Sequence, residues 1–227
     1  MKLIFCKLML LLAILLVVSS KLYSQKSEWK THQIKFSPIR AVNMFSPGLE
    51  LSYELNYSNF STQIAAAYLV DIFTTVPRGS NLSGYRLGLE EKYFIKTFKR
   101  KIRMYLSAEY IYSEVDMTLD AYFIPYEYLH EGWEIQEANS YWGYCDLNRK
   151  SNIINAKYGV QFAWGCFTLD AAVGLGIMHQ NVKHFNKVNP KDKYNAHFED
   201  IITPLFYDEG RYFIFNLPIA VKVGFVF

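Results

Sequence analysis

From residue 31 onward the chain alternates between apolar and polar side chains. Leu49, Leu51, Tyr53, Leu55 and Tyr57 are interleaved with Glu50, Ser52, Glu54 and Asn56. A period of two places the two sets on opposite faces of a strand. The same alternation predicts eight strands. The first, residues 31–42, is the least regular, with Ile34 and Phe36 opposing Lys35. The second is the stretch just described. The third, 60–71, sets Ile64, Ala66, Tyr68 and Val70 against Gln63, Ala65 and Asp71. The fourth, 84–95, sets Tyr85, Leu87, Leu89, Tyr93 and Ile95 against Arg86, Gly88, Glu90 and Lys92. Glu91 falls on its apolar face, where a bulge near Gly88 or a position at an interface would accommodate it. The fifth, 102–115, alternates Met104, Leu106, Ala108, Tyr110 and Tyr112 with Arg103, Tyr105, Ser107 and Glu109. The sixth, 152–164, and the seventh, 166–177, carry Lys157 and Asp170 among their polar positions. In the eighth, 213–227, every odd position is apolar, and Pro218, which cannot donate to a ladder, predicts a bulge.

The predicted connections differ in length. Those at 56–59, 96–101 and 165 are tight, whereas 72–83, 116–151 and 179–212 are long; only 43–47 breaks the rule. Long connections therefore gather at one end of the predicted sheet. The longest, 116–151, is rich in aromatics: Tyr122, Phe123, Tyr126, Tyr128 and the stretch from Trp133 to Tyr144. These serve either as a contact surface or as a cap packed over the mouth.

At the N-terminus, Lys2 and Lys7 flank a short apolar run at 8–18, followed by Ser19, Ser20 and Ser24. This three-part pattern is that of a secretory signal peptide, and the run is shorter than the ~20 residues a spanning helix needs. The expected division is a signal peptide at 1–24, with cleavage after Ser20 or Ser24, and a single domain at 25–227. Lys2, Lys7 and Lys21 account for the whole formal charge of +3, so the mature chain is neutral. Nucleic acid is accordingly not an expected partner. An exported chain can form disulfides. Cys145 and Cys166, however, are predicted at opposite ends of the sheet and beyond disulfide reach, so two free thiols are expected.

The terminal strand, with Gly224, Phe225 and Phe227, resembles the C-terminal sorting strand of bacterial outer-membrane barrels. An unbroken apolar face is a hazard on a soluble edge strand but suits a closed barrel in lipid. The mature chain as a whole resembles the small eight-stranded OmpA/OmpX-type barrels, without a peptidoglycan-binding domain. The resemblance implies an all-β, antiparallel, up-and-down transmembrane barrel with short periplasmic turns and long extracellular loops. Two aromatic belts are expected, one from Tyr57, Phe60, Trp164, Phe167, Phe225 and Phe227, the other from Tyr68, Tyr85, Tyr112, Phe213 and Phe215. It further implies residence in the outer membrane, contact with its lipid, and delivery by the barrel-assembly machinery through the C-terminal strand. The implied role is structural or adhesive, with loop 116–151 meeting an extracellular or envelope partner.

In that frame the polar face points inward. Glu50, Glu54, Glu90, Glu109 and Asp170 meet Lys35, Arg86, Lys92, Arg103, Lys157 and Lys222. Unpaired buried charge is costly, so a salt-bridged plug is expected rather than a pore. With the faces inverted, the same alternation would describe a soluble lipocalin-like binder. An accessory barrel of a secretion or envelope-assembly machine is a further alternative. No phosphate loop, Cys-x-x-Cys or His-Glu-x-x-His is present. His179, His184 and His197 lie near Asp192, Glu199 and Asp200 without a standard ligand spacing, and no metal or cofactor is expected. His179 would face lipid at the outer rim, as in a lipid A deacylase, but Asn181 stands where that nucleophile would be a serine. No catalytic residues are expected.

Overall fold

The structure is a computed structural model that describes residues 31–41, 46–71, 79–98, 101–195 and 204–227. The expected signal peptide lies outside them, as do His197, Glu199 and Asp200. The chain forms an all-β barrel. Its strands are β1 (His32–Phe36), β2 (Gly48–Tyr57), β3 (Phe60–Val70), β4 (Gly79–Phe98), β5 (Ile102–Ile124), β6 (Tyr141–Trp164), β7 (Phe167–Phe185), β8 (Lys193–Tyr194), β9 (Gly210–Asn216) and β10 (Ile219–Val226). Every neighbouring pair is antiparallel. β10 pairs with both β1 and β7, which closes the sheet. β9 and β10 are two segments of one strand, and β8 is an appendage on the end of β5, so the ring has eight strands.

The two segments meet at Pro218, and no bulge is inserted there. Gly176 lies opposite Asn216 and Val173 opposite Ile219, so the register is continuous across the break. Pro218 accepts a bond from the Gly174 N–H at 3.0 Å and cannot return one, which thins the ladder without shifting it. The irregularity in β4 is likewise not at Gly88. One shift falls between Ser80 and Ser83, and another between Phe94 and Lys96, where Ile95 is the extra residue against the consecutive partners Tyr105 and Met104. That insertion turns Lys96 outward, where strict alternation would have pointed it into the barrel.

At one end the connections are tight. Ser58–Asn59 joins β2 to β3, and Gly165–Cys166 joins β6 to β7, with Gly165 at φ +60°, a left-handed conformation open to glycine at little cost. At the other end lie the helix α1 (Pro38–Ala41), a 3-10 turn (Tyr126–Tyr128), the helix α2 (Trp133–Ala138) and the helix α3 (Pro204–Tyr207). The stretch 116–151 is mostly not a loop. β5 and β6 continue through it as one hairpin, paired from Asp116↔Asn148 to Phe123↔Tyr141, and only 125–140 forms the tip.

The interior has two parts. Toward the tight turns it is polar and ionic. Toward the long hairpin it is apolar, formed by Leu69, Leu82, Val115, Leu119, Phe123, Cys145, Leu147 and Val182, with Tyr194 of β8 and Tyr207 of α3 packed in. Cys145 and Cys166 are free thiols, Cys145 buried in this apolar part and Cys166 in the tight turn at the opposite end.

Candidate functional site

Inside the ring, the narrow bore forces inward side chains from facing strands together. Lys35 of β1 and Lys92 of β4 each bridge Glu54 of β2 and Asp170 of β7. Lys35 Nζ lies 2.7 Å from Glu54 Oε2 and 2.8 Å from Asp170 Oδ2, and Lys92 Nζ 2.6 and 2.5 Å from the same two atoms. The Tyr105 hydroxyl donates to Asp170 Oδ1 at 2.5 Å, and Gln161 Nε2 donates to Glu54 Oε1 at 3.2 Å. Lys35, Glu54, Lys92 and Gln161 are sealed from solvent at this level.

A second group stacks beside it. Lys157 bridges Glu90 at 3.0 Å and Glu109 at 2.8 Å, and Lys222 reaches Glu90 at 3.2 Å. Ser107 and Asn155 donate to Glu90 and Glu109. Near α1, Glu50 lies 3.5 Å from Arg40 and 3.8 Å from Arg86, and Arg86 also donates to Ser46 Oγ at 2.7 Å. Arg103 donates to Asn56 at 2.9 Å and Gln161 at 2.5 Å, its guanidinium 3.6 Å from the centre of the Phe94 ring.

All the interior charges expected from the alternation are thus buried within one connected interior. The neutral members Tyr105, Gln161 and Asn155 sat at the same parity and were legible from it. Arg40 and Arg149 were not, because Arg40 falls on the outward parity of the expected first strand and Arg149 lies beyond the expected sixth strand. Glycines make room for the long stems. Lys35 lies opposite Gly224 and Lys157 opposite Gly174, and a Cβ on either glycine would come within 2.8 Å of the lysine Cγ. Gly224 therefore faces inward, while Phe225 and Phe227 face out.

The outer face is apolar and exposed. On β5 it runs from Ile102 to Tyr112, on β6 from Trp164 to Ile154 and on β7 from Phe167 to Ile177. Each run is about ten residues, or ~33 Å of strand, which at a tilt near 40° is about 25 Å of height. Aromatic pairs mark both edges. Tyr57–Phe60, Phe60–Tyr93, Phe162–Trp164 and Phe167–Phe225 line the edge at the tight turns. Tyr85–Tyr112 and His179–Phe213 line the other, where both tyrosine hydroxyls donate to Glu114.

Beyond that edge the hairpin of β5 and β6 projects by about 36 Å along the strand. Its inner face is the apolar cap, and its outer face carries Trp142 and Tyr144 exposed, with Tyr126 and Trp133 at the tip. The aromatics of 116–151 are therefore divided by parity between a cap and an open surface. Asp192 ties the following loop to the hairpin by accepting from the Tyr126 N–H at 3.0 Å and the Tyr141 hydroxyl at 2.6 Å.

His179 faces outward and His184 inward, so the two do not converge. His184 Nε2–H donates to the Tyr207 carbonyl at 2.7 Å, and burial lowers its pKa below the ordinary 6.5. Among the described residues, no three His, Cys, Asp or Glu side chains are grouped to hold a metal. No protein-family model and no curated protein matches the chain.

Proposed function

We propose that this protein is an exported, non-enzymatic barrel of the bacterial outer membrane that presents the β5–β6 hairpin to a partner outside the cell. The observation that carries the reading is the inversion of the two faces. Charges fill the interior, while a band about 25 Å high is apolar, exposed and edged with aromatics. In water such a surface is an aggregation hazard; in lipid it is the expected exterior. A soluble binder with an apolar cavity would have the opposite arrangement. The sealed layer at Lys35, Glu54 and Lys92 supports a structural barrel over a conducting one. The exposed Trp133, Trp142 and Tyr144 give the projecting hairpin the aromatic anchors typical of contact surfaces.

The test is cell fractionation followed by electrophoresis with and without boiling. A folded membrane barrel partitions to the outer membrane and changes mobility on heating. A soluble chain with no heat-dependent shift would refute the reading. Crosslinking from position 142 in intact cells then identifies what the hairpin touches.

A further inference from the structure

One place on the outer face departs from its surroundings. A groove of about 560 Å³ crosses the apolar band from Phe60 and Glu91 to Val173 and Leu175. Its floor is Ala108 and Ala156, paired across β5 and β6, where neighbouring outward positions carry Leu106 and Tyr158. The groove spans β3 to β7, four strand spacings or about 19 Å. It starts at Phe60, beside the tight turn at the lower edge of the band, and rises to Leu175, near the upper end of the β7 run. This is the shape of a single chain leaning across the barrel wall.

Glu91 stands at the lower end. Among the described residues it is the one carboxylate on the outward face within the band, between Leu89 and Tyr93 on its own strand. The Tyr57 hydroxyl donates to Oε1 and Thr62 Oγ1 to Oε2, the latter at 2.5 Å. These two neutral donors satisfy its oxygens but not its charge, and no described lysine or arginine pairs with it. A charge facing lipid without a counter-ion is costly, and such residues mark binding sites by default.

We infer that the groove is a phospholipid site, selective for a primary-ammonium headgroup. The acyl chain lies along the alanine floor, and the ammonium pairs with Glu91 among the rings of Tyr57, Phe60 and Tyr93. The rings add a cation–π attraction. The inference rests on the membrane placement proposed above.

The test is native mass spectrometry of the full chain refolded in detergent, titrated with equal amounts of phosphatidylethanolamine and phosphatidylglycerol bearing the same acyl chains. The ethanolamine lipid is expected to dominate the retained adducts by about fivefold, the ratio that ~1 kcal/mol of charge pairing gives. Glu91→Gln should level the two lipids. Filling the groove with Ala108→Leu and Ala156→Leu should remove the retained adduct while the heat-dependent mobility shift persists. Equal retention of both lipids by the unaltered chain, or a preference that survives Glu91→Gln, overturns the site while leaving the barrel intact. Loss of the heat shift in the unaltered chain overturns the membrane placement itself.

Discussion

Replacing Lys92 by methionine isolates the contribution of the ionic interior, because methionine keeps most of the stem and removes only the charge. Lys92 Nζ sits 2.6 Å from Glu54 and 2.5 Å from Asp170, with Lys35 at 2.7 and 2.8 Å from the same carboxylates. The four groups form a balanced square of two cations and two anions, all shielded from solvent. Without Lys92, two buried carboxylates share one ammonium, and removing one partner of a buried pair costs about 3–5 kcal/mol. The penalty is that of an uncompensated charge, not of a lost contact. Removing Glu54 as well, as Lys92→Met with Glu54→Leu, restores the balance between Lys35 and Asp170. It should therefore recover most of the loss, since well-packed apolar replacements of whole buried pairs are often neutral. The assay is urea unfolding in phospholipid vesicles, followed by tryptophan fluorescence and by the heat-dependent mobility shift. The double-mutant cycle then yields a coupling energy of several kcal/mol. If Lys92→Met costs under about 1 kcal/mol, or if the double variant loses the sum of the two singles, the square does not act as a charge-balanced unit.

Three further outcomes are expected. Tyr105 lies flat against Gly159, its partner across β5 and β6, and a Cβ there would overlap the ring. Gly159→Val should displace Tyr105 from Asp170 and cost about 1–3 kcal/mol by overpacking, measured in the same unfolding assay; an unchanged midpoint would show that the ring has room elsewhere. Burial pushes the Cys145 thiol up to about 12, so maleimide should label the folded chain at Cys166 and spare Cys145 until unfolding; rapid reaction at Cys145 would mean the cap is open. Burial keeps His184 neutral in the docked cap, while the undocked form takes up a proton below about pH 6.5. Stability contributed by the docked cap is thus complete above that pH and falls as the pH drops. Protease cleavage within 186–209 should accelerate between pH 7.5 and 5.5, and His184→Gln should flatten that dependence.

The strands crossing the apolar band were legible because period-two alternation there is strict and its apolar phase constant. Their outer ends were not, for a specific reason. On β5 the outward apolar residues occupy even positions through Tyr112, whereas beyond the band the apolar run occupies the inward odd positions: Val115, Met117, Leu119, Ala121 and Phe123. The period persists while the phase reverses, so following one apolar face along the sequence ends the strand at the reversal. Arg149 was lost to the interior for the same reason, and Arg40 because α1 turns it inward where a continued strand would have turned it out. Glu91 was visible as an exception to the pattern. What sequence alone could not supply was its setting, since Tyr57 and Thr62 reach it only through the pairing of β2 with β3 and β3 with β4.

That reversal of phase has a physical logic under the proposed placement. Below Tyr112 the outward residues meet lipid, and turning apolar side chains inward there would gain nothing, because lipid tails are as apolar as any core. Cohesion across the bore must then come from hydrogen bonds and ion pairs, which a low dielectric strengthens, and Arg103, Tyr105, Ser107 and Glu109 supply them. Above Val115 the outward residues Asp116, Thr118 and Asp120 meet water. The hydrophobic effect operates again, and the inner face becomes Met117, Leu119 and Phe123. One hairpin thus crosses two solvents with the same backbone geometry, exchanging its faces between Tyr112 and Val115. Glu114, which accepts from Tyr85 and Tyr112 below and pairs with Lys150 at 2.7 Å, sits at the exchange. A hairpin whose inner face is already packed in water needs no partner to stay folded. Its exposed Trp142 and Tyr144 are therefore open to contact, which is why the proposed interaction role is assigned to this hairpin rather than to the wall beneath it.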